Sequence, residues 1–145
     1  MTTQRKPLDS KLYFHSTIVI DDSPLMIRSY QLLLADRWIG ENLVIMDHPL
    51  DALHYLVDLD FRNRYLVFLD LNMPVLSGWE LFSSLKKALP KEDMEKLFIY
   101  LATNADHVSQ YHRVCEEEAI KGILEKPLTE QTIQSLEFGI PIEKP

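Results

Sequence analysis

The sequence predicts an α/β fold, a doubly wound five-stranded parallel sheet with helices on both faces. Three observations carry this. Five short, largely apolar runs alternate with longer stretches of helical periodicity, the pattern of repeated strand–helix units. The runs read as buried parallel strands rather than as half-exposed ones. Acids close two of the runs and a Glu-Lys pair closes the last, each with a proline close behind. In open α/β sheets, chemistry gathers in the crevice beyond the carboxyl ends of the strands.

The elements follow in order. Residues 1–13 are polar and charged and are expected to form a loose extension, ahead of a domain over 14–139 and a tail over 140–145. Ser16–Ile20 is the first strand. Pro24 opens the first helix in the favoured first-turn position, with Leu25, Ile27, Tyr30, Leu33 and Leu34 turned inward. Asn42–Met46 is the second strand, and Pro49 begins a helix with Leu50, Leu53, Leu56 and Val57 inward. Tyr65–Leu69 is the third strand; Trp79, Leu81, Phe82 and Leu85 line the helix after it, which Pro90 ends. Leu97–Leu101 is the fourth strand, followed by a helix over roughly Asp106–Glu118. Ile120–Leu124 is the fifth, and Thr129 caps a last helix ending near Phe138-Gly139. Right-handed crossovers favour the strand order 2-1-3-4-5, which makes strands one and three neighbours.

That adjacency brings Asp21, Asp22 and Asp70 to one spot. Adjacent carboxylates repel each other unless a cation or a proton lies between them. Three acids with carbonyl and water oxygens suit Mg²⁺, a hard ion that often bridges to phosphate. A solvated Asp-Asp cap on the first helix, through Asp22 or Ser23, explains one of these acids but not two. Lys126, in Glu125-Lys126-Pro127, adds a compact positive charge of the kind that meets phosphoryl oxygens. The peptide bond before Pro127 is a candidate for the cis form. Ala102-Thr103-Asn104 brings a hydroxyl to the end of the fourth strand, where Thr103 either meets a group on Asp70 or caps the next helix.

Composition narrows the function. With 46% hydrophobic and 26% charged residues, the 145-residue chain has the balance of one soluble globular domain. A net charge of −7 argues against a nucleic-acid partner. No run reaches the roughly 18 apolar residues that a membrane span requires, and the N-terminus has no apolar signal core. The single cysteine, Cys115, forms no internal disulfide, which fits a cytoplasmic location. His107 and His112 are five apart and share no helix face, which argues against zinc.

With these residues in place, the string Asp70-Leu71-Asn72-Met73-Pro74-Val75-Leu76-Ser77-Gly78 resembles the signature of the receiver domain of two-component response regulators, and the resemblance runs from about Thr17 to Leu136. It implies a flavodoxin-like fold and a phosphoprotein in signal transduction. Asp70 would accept a phosphoryl group from a phosphohistidine. Asp21 and Asp22 would hold Mg²⁺ together with Asp70 and the backbone carbonyl of Asn72, and Asp22 would be the more direct ligand of the first pair. Lys126 would contact the acyl phosphate, and Thr103 would be the switch hydroxyl, with Ala102 as the alternative register. Asn72 and Ala105 would border the path of the attacking water. Ile123 stands where the family often carries an aromatic that swings on activation.

The implied partners are a sensor histidine kinase or a histidine phosphotransfer protein, and a downstream protein target. Target contact is expected through the fourth helix and fifth strand, including Tyr111, His112, Val114 or Cys115. Only Ile140 to Pro145 follow Gly139, so a single-domain adaptor or phosphorelay protein is expected, a phosphoacceptor rather than an enzyme. The alternatives are a phosphorylation-independent pseudo-receiver that binds partners, and a phosphatase of the haloacid dehalogenase type. The latter wants a second Asp two residues after the nucleophile, where Asn72 stands.

Overall fold

A computed structural model describes residues 14–35, 42–104 and 108–137. The expected extension over 1–13, the tail over 140–145, Ala105, the expected start at Asp106 of the helix after the fourth strand, and the expected end of the last helix near Phe138-Gly139 lie outside the described residues. The element order is β1 (Ser16–Ile20), α1 (Pro24–Leu34), β2 (Leu43–Met46), α2 (Pro49–Val57), β3 (Tyr65–Asp70), α3 (Gly78–Ala88), a short α4 (Lys91–Met94), β4 (Leu97–Thr103), α5 (Val108–Glu116), β5 (Ile120–Glu125) and α6 (Glu130–Glu137). The strands form one sheet in the order β2-β1-β3-β4-β5, every pair parallel. The doubly wound arrangement expected from the sequence is the one observed.

Alternation of side chains along the buried strands splits the core in two. Val19, Phe68, Tyr100 and Leu124 pack with Met26, Tyr30 and Leu34 of α1 and Ile133 of α6. Ile18, Ile20, Val67, Leu69, Ile99 and Leu101 pack on the other side with α2, α3 and Val114 of α5. The middle strands β1 and β3 are buried at every position, which is why they read as continuous apolar runs.

The helix faces needed correction. Leu25, expected inward, is 77% exposed, and Met26 takes its place in the stripe Met26, Tyr30, Leu34 at helical spacing. Leu50 is likewise exposed at 41%, while Ala52 and Leu56 face the core. In α1 the inward face begins two residues after the first-turn proline; in α2 Pro49 is itself buried and opens the stripe Pro49, Ala52, Leu56. Pro90 ends α3 as expected, but the chain then makes one further helical turn, α4, before β4. Val114 is fully buried, which removes it from the expected partner surface; His112 and Cys115 are exposed.

Local chemistry fixes the loop after β3. Ser77 Oγ accepts from the Glu80 N–H at 3.2 Å, and Glu80 Oε1 accepts from the Ser77 N–H at 2.9 Å. This reciprocal capping box starts α3. Gly78 then donates its N–H to the Leu71 carbonyl at 3.1 Å. A Cβ on Gly78 would fall 2.5 Å from the Asp70 carbonyl oxygen and 2.9 Å from Leu71 Cα. Only glycine lets α3 begin so close to the end of β3.

Candidate functional site

The sheet order sets β1 beside β3, and the register pairs Ile20 with Leu69. Asp21 and Asp70 therefore leave adjacent strands at the same level. Both are almost fully buried, at 1% and 2% exposure, and Asp22 is half-buried. One carboxylate oxygen from each of Asp21, Asp22 and Asp70 lies within 4.8 Å of the other two. The three acids singled out by sequence thus converge.

Lys126 reaches them from the end of β5. Its Nζ donates to Asp70 Oδ1 at 2.8 Å and lies 3.2 Å from Asp21 Oδ2. Its backbone N–H donates to the Thr103 carbonyl at 2.9 Å, which holds the lysine to the end of β4. The Lys126–Pro127 peptide is cis. Asp70 Oδ1 also accepts the Asn72 N–H at 3.0 Å, and Asp21 Oδ1 accepts the Ser23 N–H at 2.9 Å. Ser23 itself caps α1 by accepting from the Met26 N–H at 3.3 Å. The cap explanation therefore accounts for Ser23 and leaves both aspartates to the pocket.

One lysine for three carboxylates leaves the pocket short of positive charge. Burial pushes the Asp21 carboxyl above its ordinary value; the Asp70 charge adds to this, while the Ser23 N–H and Lys126 oppose it. Burial works against the Lys126 charge, but its bond to Asp70 and the two carboxylate charges outweigh it and hold the ammonium above its ordinary value. Asp21 Oδ2 is buried and makes no hydrogen bond among the described residues, although Lys126 is within ion-pair distance. A buried carboxylate oxygen in that condition is costly unless a cation completes it. The donor set is all oxygen, which fits Mg²⁺ and not a metal preferring sulfur or nitrogen.

Thr103 ends β4, next to the strand position level with Asp70. The ladder pairs Asp70 with Ala102 and Thr103 with Glu125. Tyr100 belongs to the core on the α1 side and Leu101 to the core on the α3 side. Ala102 thus stands level with Asp70 in the ladder, and Thr103, one residue beyond it, is buried at 1% exposure. A further group, missed by sequence reasoning, is Asn104: its Oδ1 accepts from Asn72 Nδ2 at 3.4 Å across the mouth of the pocket. Ile123 is buried in the core, paired with Leu101.

The family model described as response regulator receiver domain matches residues 17–136. Among solved structures, the chain is similar to a two component response regulator from Cytophaga hutchinsonii, with a TM-score of 0.74 and 20% identity over 83% of this chain and 92% of that one. A response regulator receiver protein from Dyadobacter fermentans gives a TM-score of 0.71 at 19% identity, over 83% of this chain and 93% of that one. The chemotaxis response regulator CheY4 of Vibrio cholerae gives 0.68 at 19% identity, over 88% and 99%. At these identities the structural likeness establishes the fold alone. No curated protein matches the chain. No helix among the described residues is long and apolar enough to cross a membrane.

Proposed function

The chain belongs to the response regulator receiver domain family, and on that premise we propose that Asp70 accepts a phosphoryl group from a phosphohistidine on a sensor kinase or phosphotransfer protein. The observation that carries this reading is the convergence of Asp21, Asp22, Asp70 and Lys126 on one crevice at the carboxyl edge of the sheet. Members of the family are signalling modules, and Mg²⁺ binding at an acidic pocket is typical of them.

The chemistry required is modest. Phosphoryl transfer spreads charge over the equatorial oxygens of the moving group, so catalysis is mostly positioning and charge stabilisation. A carboxylate is already an anion near neutral pH, so no general base is needed. The Asn72 N–H and Lys126 Nζ both bond Asp70 Oδ1, which orients the carboxylate and leaves Oδ2 as the attacking atom. As the Oδ2–P bond forms, the P–N bond to the donor imidazole breaks, and the electron pair leaves with the ring. Lys126 lies where it meets charge developing on the phosphoryl oxygens. Asp21, Asp22, Asp70 and the Asn72 carbonyl are the groups that would hold Mg²⁺, which supplies neutralising charge to the phosphoryl oxygens when bound. The product is a mixed anhydride, so the modification is transient. Signalling then proceeds by contact with a downstream protein.

Incubation with acetyl phosphate and Mg²⁺ tests this by intact mass and radiolabel. A single acid-stable, base-labile phosphoryl group is expected on the wild type and none on Asp70→Asn. Ala102 level with Asp70 on β4, and Ile123 where the family often carries an aromatic, favour a second reading, a binding module indifferent to phosphorylation. Label absent from wild type, together with partner binding unchanged in Asp70→Asn, supports that reading instead.

A further inference from the structure

The side chains of α5 are described from His112 onward, and among them Val114 alone is fully buried. Two charged contacts reach across to α3. The exposed Arg113 lays its guanidinium over the Trp79 ring, 4.0 Å from the centroid. One turn on, just past the end of the helix, Glu117 accepts from Lys86 Nζ at 2.8 and 3.0 Å. Positions 113 and 117 share a helix face, as do 79 and 86, so both contacts lie along one seam. Helices that dock by packing interlock their side chains along such a seam. Here a cavity of about 490 Å³ lies at the end away from Asp70, between Phe82, Leu89 and Met94 on one side and Glu117 and Ala119 on the other. Trp79 is anchored at the opposite end. It follows Gly78, whose N–H bonds the Leu71 carbonyl and whose Cα sits against the Asp70 backbone. Its ring is half-buried on the core beneath α3 and set edge-on to Phe82, centroids 6.1 Å apart. The indole is thus a fixed surface, and the guanidinium, on an exposed side chain, is the group that can leave it.

We propose that the Arg113–Trp79 stack is a latch: it docks α5 on α3, and its release lets α5 open as a unit while the sheet stays folded. The inference goes beyond the reading of Asp70 and holds for the unmodified chain. Energetics favour the stack over its neighbour. The Lys86 and Glu117 side chains are 48% and 25% exposed, and an ion pair that open to water contributes little and is screened by salt. A guanidinium is planar and weakly hydrated, so it lies flat on an aromatic face at small desolvation cost. Val114 supplies apolar burial, but one such side chain holds a helix only marginally, which puts α5 at the low-stability end of the fold. An element of that kind responds to small changes at its anchor. Because the anchor is Trp79, next to Gly78, a shift of the β3–α3 turn reaches α5 through the stack.

Amide hydrogen exchange of the full chain, without Mg²⁺ or any phosphoryl donor, tests this. In Arg113→Gln the amides of residues 112–117 should exchange about threefold faster, the population change expected for one exposed cation–π contact. The amides of β1 and β3 should exchange as in wild type, and the melting temperature should hold. In a Trp38→Phe background Trp79 is the single tryptophan. Acrylamide should quench it more strongly once Arg113→Gln has uncovered the ring. Lys86→Gln should accelerate α5 exchange by less than Arg113→Gln does. Wild-type exchange of α5 in Arg113→Gln, or an equal effect from Lys86→Gln, overturns the latch. So does a rise shared by α5 and the strands, which would mark a global loss of stability instead. With no phosphoryl donor present, none of these outcomes bears on Asp70 as the acceptor.

Discussion

Asp21 is the residue at which folding and function conflict most directly. Its carboxyl is buried and raised above the ordinary 3.8, and one of its oxygens has no hydrogen bond among the described residues. An acid raised on folding keeps a proton that the unfolded chain has already released. Through that window the native state binds more protons, so stability falls as pH climbs from the ordinary carboxylate value through the raised one. Below the window both states are protonated and no stability is lost. In metal-free buffer, Asp21→Asn should therefore flatten the decline of stability from about pH 4 upward. At pH 7 it should be the more stable protein by on the order of 1 kcal/mol, the usual gain from relieving a strained site. Urea melts across that range check it, and a steeper decline in the variant would show the sign to be wrong. Asp21, Asp22, Asp70 and Lys126 were legible because each follows a buried run, where a charge is otherwise unexpected. The strand-four position level with Asp70 was not legible, because chain spacing does not encode how far β4 slides along β3. Ladder pairing decides that, and it sets Ala102 there with Thr103 one residue beyond.

The loop from β3 to α3 is the element under most constraint. Leu76 donates its N–H to the Pro74 carbonyl at 2.8 Å, closing a γ-turn with Val75 at its centre and a φ of 73°. A β-branched residue strongly disfavours that conformation. Val75 is 76% exposed, so replacing it forfeits little packing. Val75→Asn, which tolerates positive φ, should stabilise the fold by about 1 kcal/mol. Three residues on, the opposite holds. Gly78→Ala pushes a methyl against the Asp70 carbonyl and Leu71 Cα, backbone atoms with no rotamer to yield. A loss of at least about 2 kcal/mol is expected by chemical denaturation. A neutral Gly78→Ala would mean that α3 can shift outward at no cost. Sequence located this loop through Pro74 and Gly78 but not its finer devices. The Ser77-x-x-Glu80 box was readable from spacing alone. The α4 turn was not, because four residues after a proline carry too little periodicity to distinguish a helical turn from a loop. The inward face of α1 was misjudged for a similar reason. Ile, Leu and Met occupy six of its eleven positions, and packing rather than pattern selected Met26 over Leu25.

At the scale of the molecule, parallel strand order collects acids from separate strand ends, and a net charge of −7 adds a long-range bias toward cations. The cost of that collection appears as the raised Asp21 carboxyl and its buried oxygen without a hydrogen bond among the described residues, so an ion bound there should be felt by the whole fold. A ligand that binds only the native chain stabilises it by RT ln(1 + [L]/Kd), about 2.7 kcal/mol at a hundredfold excess over Kd. For a domain of this size, that raises the melting temperature by roughly 5–10 °C. Mg²⁺ should produce the shift, a chelator should reverse it, and Na⁺ at equal ionic strength should not reproduce it. Asp21→Asn gives the sharper comparison. Without metal the variant should melt above wild type, because the buried charge is gone. With saturating Mg²⁺ the order should invert, because the variant has lost a ligand oxygen and gains less. The two melting curves, plotted against Mg²⁺ concentration, should therefore cross. Parallel curves would mean that Asp21 contributes nothing to cation binding, and that its burial serves the packing around β1 alone.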